Sequence, residues 1–218
     1  MKKWGNEVTT PEPESLVFVV DDDEHVRNAL SRLLRATGHR VEAYDSATAF
    51  MCEADLKCVP ACLLLDVQLP DLSGIELQRQ LQSTVPIVFI SAYDDFGPAV
   101  AAMKAGAIDF LFKPVEESIL LEAAGRALEC AKRLFMQRKQ SEEIERRIAT
   151  LTPREREVME LVVTGLVNKV IAYELGAAEK TIKIHRARMM EKMRADSVAN
   201  LVHLHSQCCI SDPPTGRL

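Results

Sequence analysis

The chain is 218 residues long, 47% hydrophobic and 27% charged, a composition that excludes intrinsic disorder, which needs low hydrophobicity and high net charge. No apolar run approaches the roughly 20 residues that cross a bilayer, and Pro11, Glu12, Pro13 and Glu14 stand where a signal peptide would carry its apolar core; a cytoplasmic protein with no membrane partner is expected. The net charge of −5 argues mildly against nucleic acid as a partner, but it sums unlike parts: residues 16–126 hold nine basic and seventeen acidic side chains, net −8, and residues 127–218 hold sixteen and twelve, net +4.

From the N-terminal side, apolar runs alternate with helical patterns. Residues 16–20 form a short buried strand ending at Asp21, and further strands are predicted at 39–43, 61–65, 87–90 and 109–112. Helical spacing of apolar residues predicts helices at 25–37, 46–55, 74–83, 97–105 and from 115 onward. Five strands alternating with helices imply an α/β domain with a parallel sheet covered on both faces, in which ligands bind beyond the carboxyl ends of the strands.

From residue 117 to about 148 there is no proline, and apolar residues give way to a charged stretch after Phe135. Either one long helix runs on as a linker or a helix stops near Phe135 and leaves a solvated coil; the continuous helix is the preferred reading. Beyond it, Thr152, Pro153 and Glu155 form a strong helix start, with a hydroxyl N-cap, proline at the first helical position and a carboxylate at the third. Further helices fit 168–175, 179–193 and 197–205, and no strand pattern interrupts them. The six cysteines (Cys52, Cys58, Cys62, Cys130, Cys208 and Cys209) have no zinc or C-x-x-C spacing and read as free thiols.

Asp21 and Asp22 follow the first strand, Asp66 the third, Ser91 the fourth and Lys113 the fifth, so all belong at one end of the sheet. Carboxylates converging on one crevice repel one another, and a hard divalent cation with oxygen ligands relieves that repulsion; Mg²⁺ suits such a site. One carboxylate is then free to act as nucleophile towards a phosphoryl group while lysine, hydroxyl and cation neutralise its oxygens. Any of these residues alone is more often a solvated loop or a helix cap; their conjunction at four strand ends carries the functional reading.

The segments Val19-Val20-Asp21-Asp22-Asp23, Leu63 to Gly74 around Asp66, Ile90-Ser91-Ala92 and Lys104 to Pro114 resemble the receiver domain of two-component response regulators. The resemblance implies a flavodoxin-like, doubly wound five-stranded sheet. It also implies that Asp66 accepts a phosphoryl group from a sensor histidine kinase, with Mg²⁺ held by Asp22, Asp66 and the backbone carbonyl of Gln68, assisted by Asp21. Ser91 and Lys113 would contact the phosphoryl oxygens, Ser91 and Phe110 would form the switch pair, and Gln68 and Tyr93 would flank the site and tune dephosphorylation.

Glu179 to Arg194 carries Lys180, Lys183, Arg186, Arg188, Lys192 and Arg194 against Glu179 and Glu191, the charge footprint of a helix that reads a DNA groove. The charges alone fit a solvated surface helix equally well. Leu151-Thr152-Pro153-Arg154-Glu155, Gly165, Asn168-Lys169, Ile171-Ala172, Leu175-Gly176 and Lys180 to Arg186 resemble the LuxR/FixJ-type helix-turn-helix, which decides for DNA. Lys183 and Arg186 are the candidates for base edges; Lys169, Lys180, Thr181 and Lys192 are candidates for phosphates. Ala178 stands where that family usually has a serine N-cap, leaving Glu179 to favour the helix dipole.

The expected organisation is a tail (1–15), a receiver (16–126), a helical linker (127–147), a four-helix helix-turn-helix domain (148–206) and a second tail (207–218). The expected function is transcriptional regulation, in the activating sense: phosphorylation at Asp66, dimerisation, promoter double-stranded DNA binding and contact with RNA polymerase, with no enzymatic activity beyond self-dephosphorylation. Two rivals stand beside it. Asp21-Asp22-Asp23 after a strand also resembles the start of haloacid-dehalogenase-type phosphatases, although His25 departs from that pattern, and a signalling module without DNA binding is the other.

Overall fold

The computed structural model describes residues 14–92 and 96–209; Tyr93 and the two tails' outer residues lie outside them. The elements in chain order are β1 (Leu16–Val20), α1 (Glu24–Ala36), β2 (Arg40–Tyr44), α2 (Ala47–Glu53), β3 (Ala61–Asp66), α3 (Gly74–Leu81), β4 (Ile87–Ser91), α4 (Phe96–Lys104), β5 (Asp109–Phe112), α5 (Glu117–Ala149), α6 (Pro153–Val163), α7 (Asn168–Glu174), α8 (Glu179–Met193) and α9 (Val198–Cys209).

All five strands are parallel in the order β2-β1-β3-β4-β5. The chain leaves β1 for one edge and returns to β3 for the other, the doubly wound, flavodoxin-like arrangement whose crevice opens where the order reverses. β1, β3 and β4 are buried along their whole length, which is why they read as unbroken apolar runs. Alternate side chains go to opposite faces. Phe18, Val20, Leu63, Leu65 and Phe89 pack with Phe50 and Leu77 of α2 and α3, and Val17, Val19, Leu64, Val88 and Ile90 pack with Leu34 of α1 and Leu120, Ala123, Ala124 and Ala127 of α5. The small side chains of α5 let that helix lie close on the sheet.

Two compact units divide within α5, between Phe135 and Met136. α5 is a single helix across the stretch expected as a linker, and that stretch is not a bare spacer. Ala127 and Leu128 are buried in the first core, and Ile144 is buried in the second with Val158, Met159, Val162, Ile171, Ile182, Met189, Met193 and Leu201.

The second unit is all helical. α6 begins with the full capping box: Thr152 accepts from Glu155 N, and the Glu155 carboxylate accepts from Thr152 N at 2.9 Å. α7 and α8 are joined by a tight turn in which Gly176 has φ +60°, a left-handed conformation that costs a residue with a Cβ about 1 kcal/mol or more. Ala178 caps α8 without a side-chain hydrogen bond, and Glu179 provides the only acidic charge in its first turn.

Candidate functional site

The strand ends assemble the acidic crevice. Asp21 follows β1 and is buried, Asp66 ends β3 and is 6% exposed, and Ser91 ends β4, fully buried; Asp22 is exposed. Lys113, one residue past β5, donates from Nζ to Asp21 Oδ2 at 2.7 Å and to Asp66 Oδ2 at 2.5 Å. One ammonium thus bridges two carboxylates that the fold forces together and offsets one of their two charges. Backbone amides complete the set: Asp23 N donates to Asp21 Oδ1 at 3.0 Å, Gln68 N to Asp66 Oδ1 at 2.9 Å, and Lys113 N to Ser91 O at 2.7 Å.

The electrostatics follow from burial. Burial pushes the Asp21 carboxyl above its ordinary range, against the lowering pull of Lys113, and the charge of Asp66 adds to the rise. For Lys113 burial alone would lower the amine, but its hydrogen bonds to Asp21 and Asp66 and their charges hold it above the ordinary lysine value. Asp21, Asp22 and Asp66 each offer a carboxylate oxygen, all within 4.8 Å of one another. Three hard oxygen donors around a crevice, one of them exposed to solvent, fit a Mg²⁺ ion that keeps part of its water shell.

Three residues around this crevice have roles that the sequence reading did not assign. Arg27 of α1 donates from Nη1 to the carbonyls of Asp21 at 2.7 Å and Asp22 at 3.3 Å, fixing the loop that carries the acidic pair. Gly74 opens α3 against β3 so closely that a Cβ there would stand 2.3 Å from Asp66 O. Asp71, five residues after Asp66, caps a different helix: it accepts from Ala47 N, Thr48 N and Thr48 Oγ1 at the start of α2. Those bonds, the Thr48 hydroxyl first, hold its carboxyl down to about 2. Phe110 of β5 is half-buried, stacked on Phe89 with ring centroids 5.9 Å apart and tilted against Phe112 at 5.3 Å.

On α8 the structure separates basic residues that composition alone treats as one group. Ile182, Met189 and Met193 face the core. Lys180, Thr181, Lys183 and Arg188 are exposed, as is Lys169 on α7, and Lys183 pairs with Glu179 of its own helix, at 3.0 Å. Among them Ile184 is 46% exposed, an apolar side chain in a basic face, suited to a thymine methyl.

Two of the residues expected at DNA bond inward in this structure. Lys192 donates to Glu155 Oε2 at 2.6 Å and Thr150 O at 3.0 Å; Glu155 is 3% exposed, and the bond to Lys192 is the first cause of its lowered carboxyl pKa. Two of the three donors of that ammonium are thus held by the fold. Arg186 is half-buried and donates from Nη1 to Asn168 Oδ1 at 2.8 Å, which takes it out of the outward-facing set. Arg147, near the end of α5, donates to Met193 O at 3.2 Å, satisfying a carbonyl at the C-terminus of α8.

Among the described residues no helix is long and apolar enough to cross a membrane. Residues 17–125 match the family model described as the response regulator receiver domain, and residues 149–205 match that of the bacterial regulatory proteins of the luxR family. The chain is 43% identical to the response regulator protein TmoT of Ectopseudomonas mendocina, across 88% of each chain. It is 40% identical to the transcriptional regulatory protein FixJ of Rhizobium meliloti, covering 86% of this chain and 93% of that one. Among solved structures it is similar to the response regulator StyR, with 46% identity, a TM-score of 0.74 and coverage of 89% of this chain and 99% of that one.

Proposed function

The chain belongs to the FixJ-like two-component transcriptional response regulators, a receiver domain joined to a LuxR-type DNA-binding domain, and from that premise we propose that Asp66 is its phosphoacceptor and the outward face of α8 its reader of promoter DNA. This membership sets aside both the phosphatase-like reading of Asp21-Asp22-Asp23 and the reading without DNA.

In the proposed transfer a carboxylate oxygen of Asp66 attacks the phosphorus of a phosphohistidine on a sensor histidine kinase. The new O–P bond forms as the P–N bond breaks, and the imidazole keeps the electron pair and takes a proton. Lys113, already placed on Asp66 Oδ2, and Ser91 at the end of β4 would stabilise the phosphoryl oxygens. Asp21, Asp22, Asp66 and the carbonyl of Gln68 would hold Mg²⁺, which supplies charge neutralisation for the transferring group. Ser91 and Phe110 are the switch pair, Phe110 being half-buried against Phe89 and Phe112. Self-dephosphorylation is the only turnover assigned to the domain.

On the DNA side, Lys183 and Ile184 are assigned to base edges, and Lys180, Thr181 and Lys169 to phosphates. The phosphorylated protein binds as a homodimer, because two weakly binding helices gain from effective concentration at paired half-sites. Seated on a promoter in the cytoplasm, it acts on RNA polymerase.

The observation that carries this reading is the Lys113 bridge between Asp21 and Asp66 at the end of the sheet. The test is phosphorylation by a small acyl phosphate with Mg²⁺. The wild type is expected to gain one phosphoryl group labile to base and to hydroxylamine, as an acyl phosphate is, and Asp66→Asn to gain none. Labelling that persists in Asp66→Asn, or that continues in a chelator, would contradict the assignment.

A further inference from the structure

α8 presents its outward face through Lys180, Ile184 and Arg188, and Arg186 does not belong to it. Arg186 stands four residues after buried Ile182 and three before buried Met189, at the margin of the inward face. Its Nη1 is bonded to Asn168, the first residue of α7. A base-reading arginine offers its fork of donors to the two acceptors of guanine; this one has turned a donor towards a neighbouring helix. The hollow beside it is lined by Gly165, Leu166, Val167 and Val198.

The bond joins two helices that both present groups to DNA. Lys169 follows Asn168 on α7, whereas Lys183 and Ile184 are on α8. For both sets to engage together, their separation must match the fixed distance between a phosphate and a base edge on the duplex. The C-terminal end of α7 is held to α8 by the turn at Gly176. Its N-terminal end has Val167 as N-cap with no side-chain hydrogen bond, and there the Arg186–Asn168 bond makes the tie.

We propose that Arg186 is a positioning residue for DNA recognition, bracing the start of α7 against α8 and so setting where Lys169 stands relative to Lys183 and Ile184. This rests on the assignment of α8 as the DNA reader.

The test uses the full-length protein, loaded with Mg²⁺ and beryllofluoride, and a pool of duplexes randomised over a central stretch. Sequencing the bound duplexes gives the preference at each base position, and anisotropy on an enriched duplex, well below the thermal midpoint, gives affinity. Arg186→Gln and Asn168→Ala are each expected to weaken binding about ten-fold, the size of one hydrogen bond to a charged group, with the preference profile unchanged in shape. The double variant is expected to bind no more weakly than either single variant, and Arg186→Lys to fall between wild type and Arg186→Gln. Loss of preference at one base position in Arg186→Gln, with Asn168→Ala binding as wild type, would make Arg186 a base reader and overturn the brace. Unchanged affinity in variants that lose only thermal stability would also overturn it. If Arg186→Gln does not fold, Asn168→Ala and Arg186→Lys give the same readings from either side of the bond. A wild type that enriches no duplex would overturn the assignment of α8 itself, whereas enrichment isolates the brace.

Discussion

The acidic crevice and the basic helix use charge in opposite ways. In the crevice the important charges are inward and already paired: Lys113 holds Asp21 and Asp66 together, and backbone amides fix the remaining oxygens. On α8 the charges assigned to DNA are those that pair least with the rest of the fold, and the ones that bond inward serve the fold. Lys192 holds the buried Glu155 and Arg186 holds Asn168. A site that performs chemistry on a small group gains from preorganised, buried charge. A surface that meets a polyanion gains from exposed charge, whose binding energy comes from displaced counterions.

That contrast breaks most sharply at backbone positions in the crevice. Gly74→Ala is expected to destabilise the first unit by about 3 kcal/mol, the upper part of the range for overpacking, because its Cβ would meet Asp66 O at 2.3 Å. Phosphorylation should slow in the same variant while the second unit keeps its stability, measured by denaturant titration of the full chain. A Gly74→Ala protein as stable and as readily phosphorylated as wild type would mean that the close approach carries no constraint.

On the exposed helix the effects are smaller and fall on binding rather than folding. Lys183→Ala is expected to cost about 2 kcal/mol of discrimination between an enriched duplex and random DNA, whereas Lys180→Ala weakens both alike and lowers the salt slope by about 1. Equal behaviour of the two variants in salt titrations would erase the proposed division between base and phosphate contacts. Glu155→Ala tests the inward lysine: it removes half of the capping box and leaves Lys192 without its carboxylate. The expected loss is about 1–2 kcal/mol of stability, with an unchanged salt slope for DNA binding if Lys192 serves Glu155 rather than a phosphate. A reduced slope in Lys192→Ala would restore that residue to the DNA surface.

The smallest effect is in acid. Asp71 has a folded-state pKa of about 2 against an ordinary value of 3.8. A depressed carboxylate contributes stability that is present above its unfolded value and is lost as pH falls through the folded one. Stability of the first unit is therefore expected to fall from about pH 4 towards pH 2, and less steeply in Asp71→Asn. Identical acid profiles for the two proteins would remove Asp71 from the account.

Much of this was legible in the residues. The buried strands were readable because both faces of the sheet are covered there, so β1 stands at its predicted range and β3 and β4 run one residue past theirs, whereas the more exposed β2 is displaced by one. The crevice residues were readable because strand ends converge in such a sheet, which brings Asp21, Asp66, Ser91 and Lys113 together without any knowledge of contacts. Asp71 and Arg27 were not readable in that way. Their partners are Thr48 and two backbone carbonyls, and nothing in a linear pattern announces a cap offered to a different helix. The inward bonds of Arg186 and Lys192 are hidden for a further reason: counting charges on a helix ignores its phase. The spacing of Ile182, Met189 and Met193 places Arg186 and Lys192 beside the buried stripe and Ile184 opposite it, a signal present in the sequence and left unused.

The central claim is that a phosphoryl group on Asp66 changes how tightly α8 holds DNA. It is tested most directly by measuring the affinity of the full-length protein for an enriched duplex with and without Mg²⁺ and an acyl phosphate, in wild type and Asp66→Asn. The predicted result is a rise in wild-type affinity that vanishes in Asp66→Asn, with both proteins equal before phosphorylation. A rise that survives in Asp66→Asn, or a phosphorylated wild type that binds no more tightly than before, would contradict it.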